Sequence, residues 1–487
     1  MDQELVAAVL RQSHALEQRL HTVRANAFAS PRIKVLIDAT QELNDSIRTR
    51  FTTYDEDHSD AGTERSLERL WFAMVDLRLV VLPAIEHGSV RGRPIEVMLA
   101  MEQLFKVALG QECVALSSPG ERHEYAALDV WRRPAVAAEM LGLRPRLVDA
   151  GVRFVRLRFS DAERDNVFLH CNLVHEVGHE LIKPFHWDDV LSVILGDEAV
   201  RQLRSRVEPQ PAFNALSEDA KALAMHELLA HNDDGYDTSG VLLNWLEELL
   251  ADLVGLVVLG PAAALASAEW LNLSTTGAAD RWSRTHPRWS FRFDLHREYL
   301  DEELDGSSLS HELENYPRAL VYLESTHARH VAEALPVEGH ESESFGGFSI
   351  ARDEAFFNAL EQALQNKFAY LRSLVADGLG RVGLQFAPAA FRTQVPPLVE
   401  QLMVLIPPST TGEGDAQVPA SYPAIVNAGA MVRFGRLDDL VSAVPALAAD
   451  ERRSRGAGQF RAEELISGLA RKAIADALMF ERWRRAR

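Results

Sequence analysis

Five residues, His175-Glu-Val-Gly-His179, constrain this chain more than any other feature. They sit inside an apolar-periodic stretch, residues 166–182 (NVFLHCNLVHEVGHELI), that reads as a helix. Helical residues advance by about 100° each, so positions four apart lie one turn apart and only ~40° round the axis. His175 and His179 therefore share a face and can aim two imidazoles at one metal ion, with Glu176 beside it and close to any water it binds. Two histidines on one stripe with a carboxylate between them are not the ordinary content of a buried helix face. The word is nevertheless short enough to arise by chance in a chain with 17 His, so the rest of the sequence has to supply the remaining parts.

It does so in two places. Residues 244–253 read NWLEELLADL. A tetrahedral catalytic zinc takes three protein ligands and keeps one position open. Glu248 can be the third ligand, from a second helix; it begins the frame Glu248-Leu-Leu-Ala-Asp252, which its neighbour Glu247 does not. Asp252, one turn on, can orient a ligand imidazole through the ring N–H. Set among Leu249, Leu250, Ala251 and Leu253, it would be costly without a partner. Further along, Thr285-His286-Pro287-Arg288-Trp289-Ser290-Phe291-Arg292 puts His286 and Arg292 in H-P-x-x-x-x-R spacing. The plain alternative for this segment is a turn, with Pro287 starting a helix.

In this order, HEVGH (175–179), ELLAD (248–252) and THPRWSFR (285–292) resemble the gluzincin metallopeptidases, most nearly the family of the CAAX prenyl proteases and the bacterial heat-shock protease HtpX. The likeness spans about residues 150–300, and the step 248 − 179 = 69 positions suits this family. It implies a zincin-like metallopeptidase core with Zn²⁺ on His175, His179 and Glu248, and Asp252 behind a ligand. It also implies Glu176 as general base, and His286 and Arg292 lining the cleft, where they would stabilise an oxyanion. Tyr299 is a more distant candidate for that last task. The implied reaction is hydrolysis of peptide bonds in a protein or peptide substrate. Two other readings stay open: a non-catalytic interaction or sensor module braced by structural zinc, and a narrowly specific regulatory or defence protease with one target.

Two decoys are set aside. His226-Glu-Leu-Leu-Ala-His231 has its histidines five apart, ~140° round a helix, too far to share an ion. Cys171 lies four residues before His175, but a Cys–His–His structural site would close the coordination sphere, and with Glu248 available Cys171 reads as packing. His170 reads as packing or cleft lining.

The net charge of −20 argues against a nucleic-acid partner. Two cysteines, Cys113 and Cys171, are too few for a disulfide framework and favour a reducing compartment. The first 20 residues are charged throughout and do not read as a signal peptide. The longest apolar stretch, 253–268, is interrupted by Gly260-Pro261 and is shorter than the ~20 residues a membrane span needs. The resembling family is best known for membrane proteins, so its zinc chemistry is carried over without its substrate, for a soluble, cytoplasmic variant. The sequence leaves the oligomeric state open.

The expected fold is α+β, predominantly α: a helical N-terminal region (1–110), the zincin-like core (111–335) and a helical C-terminal region (336–487) with a linker near 406–423. Helices are expected at 5–23, 66–85, 96–109, 216–230, 241–258, 291–304, 316–334, 353–376 and 462–487. The metal helix should stop near Lys183, before Pro184. Residues 152–159 (VRFVRLRF) alternate and are the best strand, placed where a zincin keeps the sheet edge that holds an extended peptide; an ordinary two-sided strand is the alternative. Residues 336–349 read as a loop.

Overall fold

The computed structural model describes residues 3–486 apart from 27, 29, 55–60, 89–93, 121–124, 144–150, 161–162, 184–186, 231–239, 275–280, 304–305, 333–341, 346–347 and 413–417. His231 and Pro184 lie outside the described residues. The structure is α+β and predominantly α. It divides into two compact units, Met1–Asp165 and Asn166–Arg487.

In the first unit, helices Gln3–Val23, Ile33–Thr52 and Ala61–Asp76 close round an apolar core that includes Leu16, Leu20, Leu36, Leu43, Phe51 and Met74. The helix Ile33–Thr52 buries Ile33, Leu36, Ile37, Thr40, Leu43, Asn44, Ile47 and Phe51, the three-and-four spacing of one helix face. The unit also holds a three-stranded sheet in the order β1-β3-β2 (β1 Glu112–Gly120, β2 Ala126–Asp129, β3 Val152–Ser160). Residues 152–159, expected at a sheet edge, form its middle strand: β3 pairs in parallel with β1 and antiparallel with β2. Phe154 and Val155 are both covered because a central strand is packed on both faces. The free edges belong to β1 and β2.

The second unit is built on the helix Val241–Leu259, whose core residues face in every direction, from Val241 and Trp245 to Val257 and Leu259. A helix apolar all round belongs in the middle of a fold. It ends at Gly260, whose φ of +57° suits glycine. The side-chain amide of Asn427 donates to Leu259 O (2.7 Å) and accepts from Ala262 N (3.0 Å), satisfying both helix ends at this corner. The next helix, Pro261–Ser274, follows at once. No described helix is long and apolar enough to cross a membrane.

Several boundaries differ from expectation for local reasons. Residues 353–376 are two helices, Glu354–Asn366 and Phe368–Gly380, separated at Lys367. Residues 336–349, expected as a loop, contribute a hairpin of β4 (Ser342–Phe345) and β5 (Phe348–Ala351). In 406–423 the short strands Thr410–Thr411 and Val418–Pro419 pair with each other. The helix Pro388–Met403 contains Pro396 and Pro397, which conceal it from any pattern that treats proline as a breaker.

Candidate metal centre

The helix Asn172–Leu181 carries the first motif and packs against Val241–Leu259, which carries the second. Gly178 sets their separation. A Cβ there would stand 3.0 Å from Ala251 Cα and 3.1 Å from Ala251 O. Glycine in one motif and alanine in the other therefore let the two backbones approach, and that approach brings Glu248 under the imidazoles.

Glu248 Oε2 lies 3.6 Å from His175 Nε2, and Glu248 Oε1 lies 3.5 Å from His179 Nε2. The two imidazoles stand edge to face, with ring centroids 4.9 Å apart. His175, His179 and Glu248 offer ligand atoms all within 4.8 Å of one another, and among the described residues they are the one group of histidine, cysteine and acidic side chains that does so. The spacings fit a metal well. With bonds of about 2.0–2.1 Å, the edge of a tetrahedron is ~3.4 Å, whereas a direct N–H···O bond would be shorter. Two nitrogens and a carboxylate are also the donor set zinc takes.

Behind these donors lies a second layer. Asp252 Oδ1 is 2.8 Å from His175 Nδ1, which leaves Nε2 facing Glu248. Arg292 comes from the helix Trp289–Asp301 and grips Asp252 with two bonds, Nε to Oδ2 and Nη2 to Oδ1, both 2.7 Å. Its remaining nitrogen, Nη1, is 3.3 Å from Glu248 Oε2, and the guanidinium lies 4.0 Å over the Trp289 ring. Arg292 is only 3% exposed, and both carboxylates it meets belong to the second helix. On its far side, Asp252 Oδ2 is 3.3 Å from His296 Nε2.

His286 reaches the group by a different route. Trp245 Nε1 donates to Ser283 O (2.9 Å) and Asn244 Nδ2 to Arg284 O (3.3 Å), which pins the segment to the start of the Glu248 helix. Ser283 Oγ accepts from His286 N (2.8 Å), and Thr285 Oγ1 lies 2.7 Å from His286 Nδ1. With Nδ1 occupied, Nε2 lies 3.5 Å from Glu248 Oε1, while half of the side chain remains in solvent. The helix itself starts at Trp289, after Pro287. Arg288, inside the same motif, is committed elsewhere: it pairs with Glu361 through Nε and Nη2 and stacks on Trp282.

The electrostatics follow from burial and these contacts. Burial opposes a charged Asp252, but Arg292 and His296 hold it well below the usual carboxylate range. Burial likewise opposes a charged Glu248, and Arg292, then His175, keep it low. For His175, burial is outweighed by Asp252, which raises it. Burial and the neighbouring His175 push His179 down to about 4, so its ring is a neutral lone-pair donor at pH 7. Burial lifts the half-buried Glu176 to about 7, against the pull of His175.

Other candidates fall outside the group. Cys171 is a buried free thiol and is not among the converging donors. Tyr299 is buried, and the charges it feels are those of Glu302 and Arg372. His296, Ser283 and Trp289 are members that motif reading did not single out. The one signal for His296 is its place four residues after Arg292, on the same helix face.

No family model matches this chain, and neither the curated proteins nor the solved structures searched give a match. The likeness to gluzincins therefore rests on the three short sequence motifs alone.

Proposed function

We infer that this chain is a zinc-dependent metallopeptidase, with His175, His179 and Glu248 as the zinc ligands. The observation that carries the reading is the meeting of these three donors at metal-ligand spacing, with Glu176 next to His175 on the helix that carries both histidines. Zinc, when bound, lowers the pKa of a water toward ~7 and polarises a substrate carbonyl. Glu176 takes the proton from the attacking water and hands it to the leaving amine. Asp252 holds the His175 ring, and Arg292 holds both Asp252 and Glu248 in place. His286, half in solvent beside Glu248, is the donor available to a developing oxyanion. No described helix is long and apolar enough to cross a membrane, and the reading takes a substrate met in water; the cytoplasm is proposed on the two-cysteine composition, which favours a reducing compartment.

The test pairs metal analysis with a proteome-derived peptide cleavage screen of wild type and Glu176→Gln. One zinc per chain in both proteins, with cleavage in the wild type alone, is the expected result. Equal cleavage by Glu176→Gln would remove Glu176 as base; one zinc and no cleavage in either protein would favour a structural zinc module.

A further inference from the structure

A cavity borders the surroundings of this centre at His296. The helices Pro261–Ser274, Trp289–Asp301 and Pro317–Ala332 contribute to a cavity of about 360 Å³, within the range of small-ligand pockets. Ala264, Phe293, His296 and Leu300 are its buried lining, joined by the partly buried Leu320 and Leu323. Its exposed rim carries Asp301, Glu314 and Glu324 against Arg297, which is 3.6 Å from Asp301, and the partly buried His327 in the lining is turned to Asp294 at 3.1 Å. Glu324 has no ion-pair partner among the described residues. An apolar floor with an acidic rim suits a compact apolar body bearing a positive charge.

His296 joins this cavity to the metal centre. It is buried, neither ring nitrogen makes a well-aligned hydrogen bond, and its Nε2 stands 3.3 Å from Oδ2 of Asp252, whose Oδ1 lies 2.8 Å from His175 Nδ1. We propose that the cavity binds small hydrophobic cations, and that its occupancy is felt at the metal site through His296, Asp252 and His175. A ligand packed against His296 narrows the positions open to that ring, and so to Asp252 and to the His175 imidazole. A better-held ligand side chain binds metal more tightly. Linkage then requires zinc to tighten ligand binding by the same factor.

The coupling rests on the zinc reading above, whereas binding to the metal-free chain does not, so the two can fail separately. The probe is benzyltrimethylammonium, which has no lone pair to offer a metal. Calorimetric titration into chelator-treated protein should give saturable one-to-one binding. Titration into zinc-loaded protein should give affinity about fivefold or more tighter, the low end of ordinary couplings. Phenylacetate should bind far more weakly. Leu323→Trp should abolish probe binding by filling the cavity, and the exposed Glu324→Lys should weaken it several-fold without risk to folding. Absent binding, probe binding unchanged in Leu323→Trp and Glu324→Lys, or phenylacetate binding as well as the cation would each overturn the site. Equal probe affinity with and without zinc would overturn the coupling. Should the chain take up no zinc, the metallopeptidase reading and the coupling fail together, while titration of the metal-free chain still decides the cavity.

Discussion

Arg292→Met separates two roles that a cleft arginine can play. If Arg292 holds the site together, its loss leaves Asp252 and Glu248 buried on one helix with their shared cation removed. Removing one partner of a buried ion pair costs about 3–5 kcal/mol. At ~2 °C of melting temperature per kcal/mol for a unit of this size, the metal-free protein should melt roughly 6–10 °C lower. Tryptophan fluorescence is the suitable probe, since Trp187, Trp245, Trp270, Trp282, Trp289 and Trp483, six of the eight, lie in the unit Asn166–Arg487. Midpoints rather than amplitudes should be compared, because Trp289 stacks under the guanidinium and changes its own signal. Zinc should recover part of the loss by giving Glu248 another cation. Arg292→Lys should fall between, because an ammonium cannot fork Asp252 and still reach Glu248. With Asp252→Asn in the same chain the two losses should not add, leaving a coupling of about 1 kcal/mol or more. A drop of less than 2 °C in chelator, together with a large fall in kcat, would refute this reasoning and make Arg292 a group that acts on substrate.

Three further outcomes follow from the same geometry. Glu248→Ala should abolish stoichiometric zinc while Glu247→Ala retains it, read by metal analysis after gel filtration; the reverse would move the third ligand. Gly178→Ala should force the two metal helices apart, since its Cβ would meet Ala251 backbone at 3.0 Å. The expected cost is about 1–3 kcal/mol, with zinc held roughly tenfold less tightly in a chelator competition; unchanged affinity would show that the helix gap does not set the site. Burial lifts the Cys171 thiol to about 12, so at pH 8 only about one part in ten thousand is thiolate. Iodoacetamide should leave it unlabelled, as read by peptide mass, until the protein is unfolded. Labelling of the folded chain at the rate of free cysteine would contradict the buried packing role.

What could be read in advance is tied to short repeats along one helix. His175, His179, Glu248 and Asp252 were legible because each pair is four residues apart, a spacing that a helix converts directly into a shared face. Gly178 was in plain view inside the first motif, yet its meaning depended on Ala251 lying opposite, and no single-helix pattern carries that. The sheet is another case. The alternation in 152–159 marks β3 as a strand, but whether it is central or at an edge depends on β1 and β2, whose own patterns are weak. The hairpin at 342–351 was hidden by its glycines and charges, which read as loop when no partner is in sight.

Asp252 shows how much further the sequence could have been pressed. A carboxylate flanked by Leu249, Leu250, Ala251 and Leu253 has to be buried, and a buried carboxylate is stable only when its oxygens are met on more than one side. One imidazole N–H cannot do that, so a single partner, His175, was never a sufficient account. The missing partners had to be cationic or hydrogen-donating and had to come from another element, and the H-P-x-x-x-x-R segment offered both: Arg292, and His296 one turn later on the same face. The burial requirement also explains why Arg292 faces inward. Two carboxylates on one helix, Glu248 and Asp252, draw the one guanidinium that, among the described residues, pairs with both, and a side chain with all three nitrogens turned to them has little left to offer a substrate. His286, with Nδ1 taken by Thr285 and half its surface in water, is the residue in that motif left free to meet one.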